Sequence, residues 1–349
     1  MFEKILVPLD GSEQSERIGG WCCGLARALG SEIVLFAVVD PDELVHPMAH
    51  ADHADVGSTA PGEGRYDEPG IEQARGAAPG IGFSPVTRVT ASASRAGGAH
   101  TTQLIDEAVE RARRYLLNQA DRVKLAGSEA RVEVAVGRPA EEIVAAAERL
   151  GVDAIAMATR RESALARGVL GSVTDRVVHT TKLPLLVVHP EDVSAFSGHV
   201  GAPGTLIVPL DGSELSETAV PVAMELASAV GAKMVFIRST STPYFGATEP
   251  GMGYVPTNYG MAEVRQEALV YLQGFVKSAR DAGIEADSRA VTGTAVGAIV
   301  DAAEENEGSL IVMSTHGRSG FKRFFLGSVA DKVVRSAGTP VLILPPADD

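Results

Sequence analysis

Short apolar runs alternate along this chain with longer stretches in which apolar residues recur every three or four positions. Ile5-Leu6-Val7 opens the series, and in the C-terminal half the runs near 205–209, 233–238, 286–291, 309–314 and 340–344 each predict a strand. Between two of these runs, Val264, Ala268, Tyr271, Leu272 and Phe275 share one face of a helix. Strands that alternate with helices demand right-handed crossovers, so the pattern predicts an α/β fold with parallel sheets covered on both faces.

The pattern also repeats. KILVPLDGSEQSE, with Pro8, Asp10 and Ser12, returns as TLIVPLDGSELSE, with Pro209, Asp211 and Ser213, 201 residues later (Asp10 to Asp211). VLGSVTDRVVHTTKLPLLVV returns as FLGSVADKVVRSAGTPVLIL only 156 residues later (Gly171 to Gly327), and Gly137 to Gly293 already shows the shorter spacing. The 45-residue difference between 201 and 156 therefore lies between the second and third strands of the first copy. That segment, about 41–101, is rich in Gly, Ala, Pro and His without periodicity and reads as a long flexible insertion. Two tandem domains are expected, at 1–192 and 204–349, joined by a linker at 193–203 whose residues are small and turn-forming. The apolar runs PLLVV and PVLIL that end the two copies are edges a protein must cover, so the copies are expected to pack on each other there as an internal pseudo-dimer.

Composition narrows the partners. With 45% hydrophobic but only 5% aromatic residues, the cores must be aliphatic, as buried parallel strands require. A formal charge of −14 repels nucleic-acid backbones and anionic lipid, which argues against both as partners. Cys22 and Cys23 are sequence neighbours in a helical stretch and cannot bridge without strain. Together with the absence of a leader or of an apolar stretch of about 20 residues, they place the expected location in the cytoplasm.

Two constellations could carry chemistry. Pro209-Leu210-Asp211-Gly212-Ser213 ends the first strand of the second copy, where an open parallel sheet binds ligands beyond its carboxyl edge. Alternatively, Asp211 or Ser213 merely caps the next helix. Met313-Ser314-Thr315-His316-Gly317, then nine residues, then Gly327-Ser328-Val329 leaves the fourth strand through a loop and opens a helix, an arrangement suited to an anion. Ser328 and Asp331 also have the spacing of a simple capping box. His46, His50 and His53 have metal-ligand spacing only if helical, and Pro47 among them favours a solvated loop. Arg318, Lys322 and Arg323 form either a phosphate clamp or a solvated face. No Walker A, Gly-x-Gly-x-x-Gly, His-Glu-x-x-His or Gly-x-Ser-x-Gly motif occurs.

The order VPLDGS, a glycine turn before the third helix, then MSTHGRSGFKRFFLGSVADKVVRSAGTPVLIL resembles the universal stress protein family, and both halves share in the resemblance. It implies two doubly wound domains, each a five-stranded parallel sheet of order 3-2-1-4-5 flanked by helices. It also implies binding of an adenine nucleotide, ATP foremost, with Mg²⁺ as a possible companion. On the family pattern Gly-x2-Gly-x9-Gly-Ser/Thr, the second copy places Asp211 at the ribose or adenine edge and Ser239 near adenine. Pro209 ends the first strand; Met313, Ser314, His316 and Gly317 wrap sugar and phosphates; Gly327, Ser328 and Val329 hold the phosphates. Ser314 replaces the first glycine of the pattern.

The first copy offers Pro8, Asp10, Val38, Arg160, Arg161, Gly171 and Ser172 at the corresponding positions, but Ala158 and Arg161 replace both glycines. Arg161 opposes a backbone-lined phosphate pocket by bulk and by its restricted φ, so this second site is expected to be degenerate, or to hold an anion through Arg160 and Arg161 instead. The resulting expectation is a nucleotide-dependent binding or signalling module in stress response, with an unknown protein partner and no identified catalytic residue. A slow ATPase using His316 and Asp211 and a nucleotide-free scaffold are the competing readings.

Overall fold

The structure, a computed structural model, describes residues 2–45, 99–159, 170–189, 202–240, 261–315 and 326–346. The first half runs β1 (Lys4–Pro8), α1 (Glu13–Leu29), β2 (Glu32–Val39), α2 (Pro41–Val45), α3 (Ala99–Leu125), β3 (Glu129–Val136), α4 (Pro139–Leu150), β4 (Ala154–Ala158), α5 (Ser172–Thr180) and β5 (Leu185–Val188). The second repeats the series as β6 (Thr205–Pro209), α6 (Glu214–Glu217), α7 (Ala219–Val230), β7 (Lys233–Thr240), α8 (Met261–Asp281), β8 (Ala286–Thr292), α9 (Ala295–Glu304), β9 (Ser309–Ser314), α10 (Ser328–Ser336) and β10 (Val341–Leu344).

The inner strands are uninterrupted or nearly uninterrupted apolar runs because helices cover both of their faces, whereas the edge strands β3 and β8 carry charged and polar residues and are only partly buried. Successive residues of β1 divide accordingly: Ile5 and Val7 enter one core, Leu6 the other. In the second half Leu206 and Val208 of β6 match the first pair, and Ile207 matches Leu6. Helices α1, α3, α7 and α8 supply the first core, and α4, α5, α9 and α10 the second.

The strands form one ten-stranded sheet, ordered β3-β2-β1-β4-β5-β10-β9-β6-β7-β8, so each half has its own strands in the order 3-2-1-4-5. Pairing is parallel within each half, but β5 and β10 meet antiparallel, with Val341 opposite Val187, Leu342 opposite Leu186 and Ile343 opposite Leu185. Polar contacts flank that seam. Buried His189 donates from Nε2 to the Val334 carbonyl across it (2.9 Å), while its Nδ1 accepts from the Thr159 hydroxyl (2.8 Å). Arg335 reaches from its own Asp331 (2.8 Å) to Asp175 in the other half (2.6 Å).

Two local features depart from the simple pattern. The segment 41–101, expected to be irregular, is helical at both ends: Pro41 opens α2, the Asp42 N–H donates to the Asp40 carboxylate at 2.9 Å, and α3 already begins at Ala99. Residues 46–98 lie outside the described set, as does most of the linker. The helix after β6 breaks into α6 and α7 at Thr218. Pro221, standing 201 residues after Gly20 of continuous α1, has no N–H to donate to the Glu217 carbonyl, so the helical ladder is interrupted there.

Candidate functional site

The corner after β6 is built by a local network. Asp211 Oδ1 accepts from the Ser213 N–H (2.9 Å) and hydroxyl (2.6 Å), and Ser213 caps α6 by accepting the Ser216 N–H at 3.1 Å. Ser216 closes the loop by donating its hydroxyl to the Ser213 carbonyl at 2.8 Å. The two alternatives for this corner thus combine: Ser213 is the cap, and Asp211 braces it from the cavity wall. Gly212 is required here on two counts. Its φ is 86°, and a Cβ would come within 2.9 Å of the Arg238 guanidinium, which itself stacks on Tyr271 at 4.7 Å. Burial, then the Glu217 carboxylate that accepts from the Tyr271 hydroxyl at 2.7 Å, push the tyrosine pKa up, so the phenol stays neutral. Ser213→Ala should cost about 1 kcal/mol of stability through the lost cap, read as a lower urea midpoint with unchanged slope.

Asp10 and Ser12 reproduce this corner in the first half, at 2.9 Å for the N–H and 2.5 Å for the hydroxyl. Pro8 ends β1 there as Pro209 ends β6.

At the end of β7 the Ser239 hydroxyl donates to the Gly293 carbonyl at 2.6 Å, tying that strand to the turn before α9. The Thr294 side chain caps α9 through the Gly297 N–H at 3.2 Å. At the end of β9 the Thr315 N–H donates to Leu344 (2.9 Å) and its carbonyl accepts from Gly327 (2.6 Å). The chain therefore leaves β9 and re-enters at α10 through one pinned point.

The start of α10 excludes the capping-box alternative. Gly327 is the N-cap, Ser328 is already the first helical residue, and no side chain caps the helix. The Asp331 side chain instead pairs with Arg335. The N–H groups of Ser328, Val329 and Ala330 consequently have no acceptor within the helix, and the positive end of the helix dipole accompanies them. In the first half α5 starts in the same way, with Gly171 as N-cap, Ser172 first in the helix and no side-chain cap.

These elements surround a cavity of about 270 Å³ at the carboxyl ends of β6, β7 and β9. Of the residues singled out from sequence, Pro209, Asp211, Ser239, Met313, Ser314, Gly327, Ser328 and Val329 all line it. His316 and Gly317 lie outside the described residues, as do Arg160, Arg161, Arg318, Lys322, Arg323 and the three histidines of the insertion. Val38 lies in β2, packed against the second core. Among the described residues no cluster of His, Cys, Asp or Glu is arranged to hold a metal. The cavity is two-sided: Ile237, Ala298, Ile299 and Met313 make an apolar wall, while Asp211, Ser314 and the α10 N-terminus make a polar one.

Sequence reading overlooked the wall supplied by α9, namely Ala295, Ala298 and Ile299. The turn at Gly293 was its only signal, since small apolar residues on a helix otherwise read as core.

Comparison with known proteins is consistent with this geometry. The profile of the universal stress protein family matches residues 1–63, 84–189 and 204–345. The chain belongs to that family. A universal stress protein of Methanocaldococcus jannaschii is 31% identical over 140 residues, 40% of this chain and 80% of the relative. Another from Bacillus subtilis is 31% identical over 143 residues, 40% of this chain and 97% of the relative. The crystal structure of a universal stress protein from Archaeoglobus fulgidus aligns with 99% of this chain and 100% of its own, at 20% identity and a TM-score of 0.63, which shows a common fold. No helix among the described residues of this universal stress protein is long and apolar enough to cross a membrane. Its two cysteines are both free and buried; burial pushes the thiol of Cys22 far up and that of Cys23 up to about 11, so neither is a ready nucleophile.

Proposed function

We propose that the second half of this universal stress protein binds an adenine nucleotide, with ATP the leading candidate, and that the chain acts as a nucleotide-dependent binding or signalling module in stress response. The observation that carries this reading is the pairing, in one cavity, of an apolar slot with an uncapped helix N-terminus. The apolar wall of Ile237, Ala298, Ile299 and Met313 suits a planar base. Asp211 suits a ribose hydroxyl or base N–H as an acceptor. The N–H groups opening α10 suit a phosphate. At about 270 Å³ the cavity is close to the lower end, ~300 Å³, of ordinary ligand sites, enough for base and ribose with the phosphates toward the mouth.

A binding role is favoured over hydrolysis because Asp211 is the one carboxylate among the described lining residues and its Oδ1 is already engaged by Ser213. The domain limits 1–192 and 204–349, the pseudo-dimeric arrangement of the halves, a cytoplasmic location and an unidentified protein partner belong to the same proposal.

Mass spectrometry of small molecules released from the denatured, purified chain, followed by calorimetric titration with ATP with and without Mg²⁺, tests it. The expected result is an adenine nucleotide bound at one equivalent, with affinity lost in Asp211→Ala and reduced for adenosine, which lacks the phosphates. No released nucleotide and no heat on titration would refute the reading in favour of a scaffold.

A further inference from the structure

The spacing that carries Gly137 to Gly293 also carries Glu142 to Ala298, both being 156 residues apart. The two positions sit alike on their helices, in α4 and α9, one turn after the glycine turn that enters each helix. Ala298 is part of the apolar wall of the second-half cavity. Its counterpart is a glutamate, and the surroundings of the two glycines differ as a result.

Both glycines have the same unusual backbone, φ 152° at Gly137 and 148° at Gly293, so the turns superpose in kind. Around Gly293 the space where a Cβ would point is open, with nothing within 4 Å. Around Gly137 it is filled: Glu142 Oε1 lies 2.6 Å and Cγ 2.9 Å from that point. The Glu142 side chain is folded back over the turn, on the side where the second half keeps its helix wall small.

We infer that Glu142 is the residue that closes the first half to nucleotide, making the tandem chain a one-site protein. This rests on the nucleotide reading of the second half and deepens it. Two other parts of the site match between the halves, the Asp10 corner with the Asp211 corner and the uncapped start of α5 with that of α10, while Val38 stands where the second half has Ser239 and Ala158 where it has Ser314. Glu142 acts in two ways. Folded inward, its side chain takes room that the small Ala298 leaves to a base. Its carboxylate also adds negative charge at the site of a polyanion in a protein that already carries a formal charge of −14.

Calorimetric stoichiometry of ATP on the full chain tests the inference, with melting temperature as the check on folding. The unaltered protein is expected to bind one equivalent. Glu142→Ala is expected to bind two, and Arg161→Gly alone is expected to remain at one. The reciprocal change Ala298→Glu should weaken the second-half site at least about tenfold, with ATP losing more than adenosine because a like charge is being added. One equivalent in a well-folded Glu142→Ala protein, or two in Arg161→Gly alone, would overturn the assignment. No binding by any of the four proteins would instead overturn the nucleotide reading on which it rests.

Discussion

Ala295→Trp should lower ATP affinity at least about 100-fold, close to 2.7 kcal/mol, while leaving the melting temperature almost unchanged. Ala295 is the first residue of α9, half-buried, and its side chain faces the cavity beside Ile299 and Met313. The helix start depends on the Thr294 cap and not on Ala295, so an indole is tolerated by the helix at that position. The indole takes up the apolar slot in a cavity of only about 270 Å³. Tryptophan at Val270, which is 64% exposed on α8, is the matched control and should leave affinity as it is. Calorimetry of both variants decides it: equal affinities would mean that nucleotide, if bound, lies elsewhere.

The largest expected stability effect comes from Leu342→Asp. Leu342 is 2% exposed, lies opposite Leu186 across the antiparallel seam, and belongs to a core that runs through both halves. The change removes a buried aliphatic side chain and leaves an unpaired carboxylate in its place, at a combined cost of about 3–5 kcal/mol. Burial raises the pKa of such a carboxyl, so the folded state binds more protons than the unfolded one and stability must fall as pH rises. The variant should therefore lose more at pH 7.5 than at pH 4.5. The chain has a single tryptophan, Trp21, buried in the first half, and its fluorescence reports urea unfolding there. A lower midpoint at Trp21 after a substitution in the second half is expected because the seam makes the two cores continuous. An unchanged Trp21 transition would show that the halves unfold independently.

Much of the fold was legible because its signals are local. Buried parallel strands must be aliphatic throughout, so Ile5 to Val7 and Leu206 to Val208 declare themselves without a partner in view. The repeat located the insertion by simple difference of spacing, and small residues at Gly327 and Ser328 marked a helix start open to an anion. Backbone detail was less legible. Whether Ser328 capped its helix or lay inside it depended on one residue of register, which the sequence Ser-x-x-Asp fits either way. The break between α6 and α7 followed from a hydrogen bond that Pro221 cannot make, a consequence visible only once the helix that requires that bond is placed.

The sequence by itself determined the elements, their alternation, the duplication, and the residues that end the strands, since each depends on contacts within a few positions along the chain. Tertiary structure alone decided which distant groups meet. It brought α9 over the carboxyl edge of the sheet, so that Ala298 and Ile299, while part of the core, also line the cavity together with Ala295. It set Leu342 against Leu186 and placed Arg335 on Asp175, joining ten strands into one sheet. It also folded Glu142 over Gly137 while leaving Gly293 open. These outcomes depend on side chains approaching through space under excluded volume and charge, and composition and periodicity carry no record of those distances.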